Sequence, residues 1–166
     1  QAARSFGEKL PNIFLSLKNE KIKIKVYQQC TPEQNLKLKK FYKRNKINFE
    51  LFNFTLNIKK YLKKTDICIT RSGSSMTAEL INYRIPFIAV PLPNSADNHQ
   101  YLNAKYLKRL GVCFFIEEKS IEKKIFKQIY KINKNSLIIK KMKQRQSKFS
   151  DKNVYKIIDR EIKKIL

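Results

Sequence analysis

From residue 22 the chain reads IKIKVYQ, with apolar and polar side chains alternating, as expected of a strand with one face buried. TPEQ follows. Thr31 is placed to cap a helix, Pro32 suits its first turn and Gln34 completes a capping box, so a helix is predicted to about residue 46. INFELFNF then reads as strand and residues 57–63 as a short helix. DICIT (66–70) reads as a fully buried strand. The pattern continues with helix over 75–83, a second buried strand FIAV (87–90), helix over 99–110 stopped by Gly111, and a last strand VCFFI (112–116). Three lysine-studded helices are predicted over 120–132, 136–149 and 153–166. The opening, 1–17, reads as helix despite Pro11.

Strands alternating with helices, the central strands being almost wholly apolar, predict α/β architecture: a Rossmann-like parallel sheet with helices on both faces. The 166 residues are enough for one domain with its own core, taken here as 1–166. A doubly wound domain normally begins with a strand. The helical opening at Gln1 therefore predicts a cut just inside a longer protein.

Charge refines the picture. The net charge is +24, which invites a nucleic-acid or membrane-surface reading. A coding bias toward A- and T-rich codons would equally raise Lys, Ile and Asn together. The distribution is uneven: residues 1–65 carry 16 basic and 4 acidic side chains, 119–166 the same, and 66–118 carry 5 of each. The neutral middle is where a site is expected. No apolar run approaches the roughly 20 residues of a membrane span. Cys30, Cys68 and Cys113 are widely spaced and His99 is the single histidine, so reduced thiols and no metal site are expected.

Within that middle third ITRSGSSMTAEL, residues 69–80, contains no lysine. Ligands of open parallel sheets bind beyond the carboxyl ends of the strands, and Arg71–Ser75 follows such an end. Gly73 would allow a tight turn and close approach of a ligand to the backbone. Ser74 or Ser75 would cap the helix, whose free N–H groups suit an anion such as a diphosphate. Glu79, one turn on from Ser75, could accept hydrogen bonds from the vicinal hydroxyls of a ribose. An ordinary capped strand–turn–helix explains the same residues equally well. The second polar loop, PLPNSADNHQ (91–100), should emerge at the same sheet edge. His99 there is either a base or, as a lone histidine at a helix start, a cap or packing residue.

RSGSSMTAEL, IPFIAVPLPNSADNHQYLNA and LGVCFFIEE, in that order and spacing, resemble the donor-binding half of the MurG family, bacterial glycosyltransferases that add GlcNAc to lipid I to form lipid II. The glutamate eight residues after the arginine and the D-x-H-Q-x-x-N-A run carry the likeness, which extends over essentially the whole chain. It implies the C-terminal domain of a GT-B enzyme that binds UDP-GlcNAc; the sequence has no D-x-D motif, so no chelated metal is implied, and no cofactor is expected. Glu79 falls on the family's ribose-binding glutamate. Ser74, Ser75 and Met76 fall on the loop and helix start against the diphosphate, and Arg71, Ser72 and Gly73 just before them are expected among the UDP-GlcNAc-binding residues. His99 and Gln100 fall on the pair that reads the sugar hydroxyls, and Phe54 and Thr55 on the uracil frame.

There are departures: Met76 stands where threonine is common, and Leu56 and Asn57 where an acidic pair is. The resemblance further implies an acceptor site and general base in an N-terminal domain, and a location peripheral to the cytoplasmic face of the inner membrane; the two basic flanks, for their part, suggest an anionic membrane surface as a partner. Two alternatives stand beside it: a stand-alone donor subunit of a dolichol-type GlcNAc transferase, and a nucleic-acid module built on KKFYKRNKINF. The resemblance implies no nucleic-acid partner.

Overall fold

The computed structural model describes residues 2–149 and 162–163, and the helix expected over 153–166 lies outside them apart from those two positions. The chain groups into two compact units, Gln1–Tyr61 with Ile116–Asn135, and Leu62–Phe115 with Ser136–Leu166.

The first unit is built on α1 (Ala2–Asn19), β1 (Lys25–Gln29), α2 (Pro32–Arg44), β2 (Asn48–Phe52) and α6 (Ile121–Lys134). In α1 the residues Leu10, Ile13 and Leu17 recur at helical spacing and are buried, and the helix runs on through Pro11. β1 and β2 pair in parallel from Lys25 opposite Asn48 to Gln29 opposite Phe52. Val26, Cys30, Leu38, Tyr42 and Ile47 form the core, joined by Phe14, Phe41 and Phe49. The buried Tyr42 hydroxyl donates to Gln28 Oε1 at 2.5 Å, which satisfies a polar atom in this apolar setting. The predicted Gln34 half of the capping box forms, Thr31 N–H donating to Gln34 Oε1 at 3.4 Å. Gln34 Nε2 also reaches Arg4 O at 2.8 Å, and a Cβ on Gly7 would collide with that amide at 2.5 Å. Gly7 makes room for the tie between α1 and α2.

The second unit holds β3 (Cys68–Thr70), α4 (Ser74–Asn82), β4 (Phe87–Ala89), α5 (His99–Arg109), β5 (Phe114–Phe115) and α7 (Leu137–Gln146); the short helix α3 (Lys59–Leu62) leads into it. The strands pair in parallel in the order β3-β4-β5. Parallel pairing and covering helices agree with the α/β prediction, although the strands form two sheets, one per unit. The strands are shorter than predicted. β4 is central and wholly buried, but β3 is an edge strand of its sheet. Only Thr70 is buried there, and the expectation that 66–70 is fully buried is corrected accordingly. From α7 the buried Gln146 Nε2 donates to Ile85 O and Val112 O, both at 2.9 Å, fixing the chain ahead of β4 and β5.

Gly111 ends α5 as predicted. It sits at φ +70°, with its N–H bonded to Lys108 O at 2.9 Å and Val112 N–H to Leu107 O at 3.2 Å, a left-handed C-terminal cap. A Cβ there would stand 2.3 Å from Arg145 Nη1. Gly111→Ala is expected to cost about 1–2 kcal/mol from backbone strain, plus the displacement of Arg145. Urea denaturation should show a smaller loss when the same change is made in an Arg145→Ala background.

Candidate functional site

In the second unit, Thr70 lies opposite Ala89, so β3 and β4 end side by side and their following loops leave the same edge. Val90 N–H donates to Thr70 O at 2.8 Å, extending the pairing by one residue. From there the two loops are fastened to each other by side chains. Arg71 Nη1 donates to Pro91 O at 3.1 Å and Val90 O at 3.4 Å. Ser72 is fully buried, and its hydroxyl donates to Gln100 O at 2.7 Å. Asn103 Nδ2 donates to Ser72 O at 2.7 Å. Within the second loop, Leu92 N–H donates to Gln100 Oε1 at 3.0 Å and Gln100 N–H to Ser95 Oγ at 3.4 Å.

This fastening alters how several expected residues are understood. Ser72 is spent on joining the loops, so its hydroxyl faces Gln100 and not solvent. Helix α4 begins one residue earlier than predicted. Its N-cap is Gly73, with no side-chain cap, which corrects the expectation that Ser74 or Ser75 caps it. The first turn is instead braced from within by the Thr77 hydroxyl, within 3.1 Å of Gly73 O and 3.0 Å of Ser74 O. Gly73 has φ −64° and ψ 142°, which any residue can adopt, so the turn itself does not require glycine. A Cβ there would meet nothing within 4 Å, leaving open space against the backbone.

Around that space, Ser74 and Ser75 are exposed and Met76 is half-buried. Glu79 is half-buried one turn farther on, and its carboxylate has no hydrogen-bond or ion-pair partner among the described residues. It is therefore available to outside donors.

The second loop ends in backbone that few residue types tolerate. Asn94, Asp97 and Asn98 have φ of 59°, 48° and 54°, and Asn and Asp are the non-glycine residues best suited to that region. His99 is exposed at the start of α5, its Nδ1 2.6 Å from Ala96 O. A carbonyl can only accept, so Nδ1 carries the proton and a neutral ring leaves Nε2 as an acceptor. Gln100 keeps its side-chain Nε2 without a partner among the described residues. Phe54 and Thr55 belong to the other unit, on the loop after β2. Phe54 is 74% exposed, and Thr55 Oγ1 accepts the Asn57 N–H at 3.1 Å.

Asn103 is the residue that sequence reasoning passed over. It was visible only as a letter in the D-x-H-Q-x-x-N-A run, three places after Gln100 on the same helix. Its partner lies 31 residues away. The three cysteines are free thiols, and burial pushes Cys113 up to about 12, which removes it as a nucleophile near neutral pH.

Comparison with known proteins gives this arrangement a family. The profile described as glycosyltransferase family 28 C-terminal domain matches residues 1–160. The chain belongs to that family. A UDP-N-acetylglucosamine–N-acetylmuramyl-(pentapeptide) pyrophosphoryl-undecaprenol N-acetylglucosamine transferase of Pelagibacter ubique is 34% identical over 165 residues, 98% of this chain and 46% of the relative. The enzyme of the same name from Rickettsia bellii is 36% identical over 143 residues, 84% of this chain and 40% of the relative. The crystal structure of Acinetobacter baumannii MurG shares the fold, with a TM-score of 0.76 at 21% identity, over 90% of this chain and 43% of that one. The family 28 C-terminal chain thus spans under half the length of these relatives, and its fold is the C-terminal α/β domain of a GT-B glycosyltransferase.

Ser72→Ala should destabilise the chain by about 1–3 kcal/mol, because it removes the buried donor to Gln100 O. Chemical denaturation measures the loss. A change below a few tenths would mean that the loops are held without this bond.

Proposed function

We propose that residues 1–166 are the UDP-GlcNAc-binding half of an inverting glycosyltransferase that transfers GlcNAc to lipid I, giving lipid II for peptidoglycan. The observation that carries the reading is the joined pair of loops at one sheet edge. They bring the open backbone at Gly73, the start of α4 and the unpartnered Glu79 onto the same unit as His99 and Gln100. Family membership and the names of the relatives support the reading, and those names favour the peptidoglycan substrate over the dolichol-type alternative.

The chemistry follows from the groups present. The acceptor hydroxyl attacks the anomeric carbon of UDP-α-GlcNAc, forming a β linkage as the diphosphate leaves. Negative charge grows on that diphosphate, and the free N–H groups opening α4, with the positive end of its helix dipole, lie where they can stabilise it. Ser74 and Ser75 offer hydroxyls beside them. Glu79 accepts the two ribose hydroxyls, and Gln100 Nε2 with His99 Nε2 addresses the sugar. The acceptor site and general base are assigned to the part of the relatives that this chain does not span.

Glu79→Gln should weaken UDP-GlcNAc binding about tenfold or more, since hydrogen bonds to a charged carboxylate are worth roughly 1.5–3 kcal/mol. Calorimetry on both proteins decides this, and equal affinities would remove Glu79 from the site. The unaltered chain should bind the nucleotide-sugar yet transfer nothing to lipid I, because positioning of two substrates and exclusion of water need a closed cleft. Product from the chain alone would overturn that division of labour.

The basic thirds, each with 16 basic and 4 acidic residues, are proposed to favour an anionic membrane surface. Each nearby cation there is worth about 1 kcal/mol. Among the described residues no helix is long and apolar enough to cross a membrane. Sedimentation with anionic vesicles should show binding that fades as salt rises, and no binding at low salt would refute the idea.

A further inference from the structure

We infer that Asn103 is a positioning residue for the donor diphosphate, acting through the peptide between Ser72 and Gly73. Its Nδ2 donates to Ser72 O at 2.7 Å, and more weakly to Thr77 Oγ1 at 3.4 Å. A trans peptide sets its N–H opposite to its C=O, and no described peptide here is cis. Anchoring Ser72 O toward α5 therefore turns the Gly73 N–H the other way, away from Asn103. That N–H has no acceptor among the described residues.

The next peptide is held in the same fashion. Gly73 O accepts from both the Thr77 N–H and the Thr77 hydroxyl, each at 3.1 Å, which orients the Ser74 N–H. Two consecutive N–H donors at the start of α4 are thus aimed by bonds on their far sides. Such donors stabilise an anion without reorganising when it arrives. Asn103 lies on α5 three residues after Gln100, whose carbonyl takes the Ser72 hydroxyl. One turn of α5 therefore supports both the phosphate end and the sugar end of the site.

This inference rests on the UDP-GlcNAc reading, and the experiment separates the two. The 15N-labelled chain is titrated with UDP and, in parallel, with uridine, which lacks phosphates. UDP should move the Gly73 amide resonance strongly downfield, and uridine should leave it in place. Asn103→Ala should lower UDP affinity about tenfold. Asn103→Asp keeps the size but replaces the donor with an acceptor, and should lower it at least as much. Neither change should alter uridine binding, whereas a residue with a merely structural role would affect both ligands alike.

A Gly73 amide that stays still while UDP binds overturns the role of Asn103, as does UDP binding by Asn103→Ala within twofold of the parent. The amide response of the unaltered chain decides the matter even where a variant does not fold. No UDP binding by the unaltered chain overturns the donor reading, and this inference with it.

Discussion

The constraint on which the site depends is the parallel register of β3 and β4, with Thr70 opposite Ala89. Parallel neighbours end at the same edge, so the segments leaving them begin side by side without further folding information. In an antiparallel pair the two loops would leave opposite edges. The crossing helix α4 returns the chain to the start of β4, and the buried FIA core of that strand holds the register because each of its residues is enclosed. The loops can then be short and richly hydrogen-bonded, since the sheet has already brought them together.

That geometry also accounts for the change in composition in the middle third. Ser72, Thr77 and Ser95 are all buried, with 0%, 3% and 9% exposure, and each bonds a backbone group. A lysine is disfavoured in such a place, because burying an unpaired ammonium carries a large desolvation cost. Whatever raised the lysine content elsewhere found solvent-facing helix positions to occupy. Ser74, Asn94 and Asp97 on the loops after β3 and β4 are exposed, whereas the buried positions Ser72 and Ser95 on the same loops offer no such place. Small hydroxyls and amides persist there because the local backbone carbonyls and N–H groups require partners of that reach.

The family resemblance and the geometry meet at different residues. The letters that carry the likeness include Arg71, Ser72, Gln100 and Asn103, yet in the fold much of their polar capacity is used between the loops. Arg71 and Ser72 hold the second loop, and Gln100 gives both its carbonyl and its Oε1 to the frame. Glu79, the serines opening α4 and the Gly73 backbone remain turned outward. A motif of this kind mixes groups that touch a ligand with groups that keep those in place, and spacing along the chain does not separate the two.

The sequence by itself determined the alternation of strands and helices, the burial of FIAV, the stop at Gly111 and the neutral stretch in which a site should be sought. These follow from periodicity, residue volume and backbone preference, which act over a few neighbours and can be read locally. The start of α4 at Gly73, the inward turn of Ser72, the edge exposure of β3 and the role of Asn103 were decided only in the tertiary structure. Each depends on partners remote in the sequence, 28 residues apart for Ser72 and Gln100 and 31 for Asn103 and Ser72. A hydrogen bond is directional and short. Whether a serine faces a ligand or another loop is therefore set by angstrom-scale packing of the two loops, which no local pattern of residues encodes.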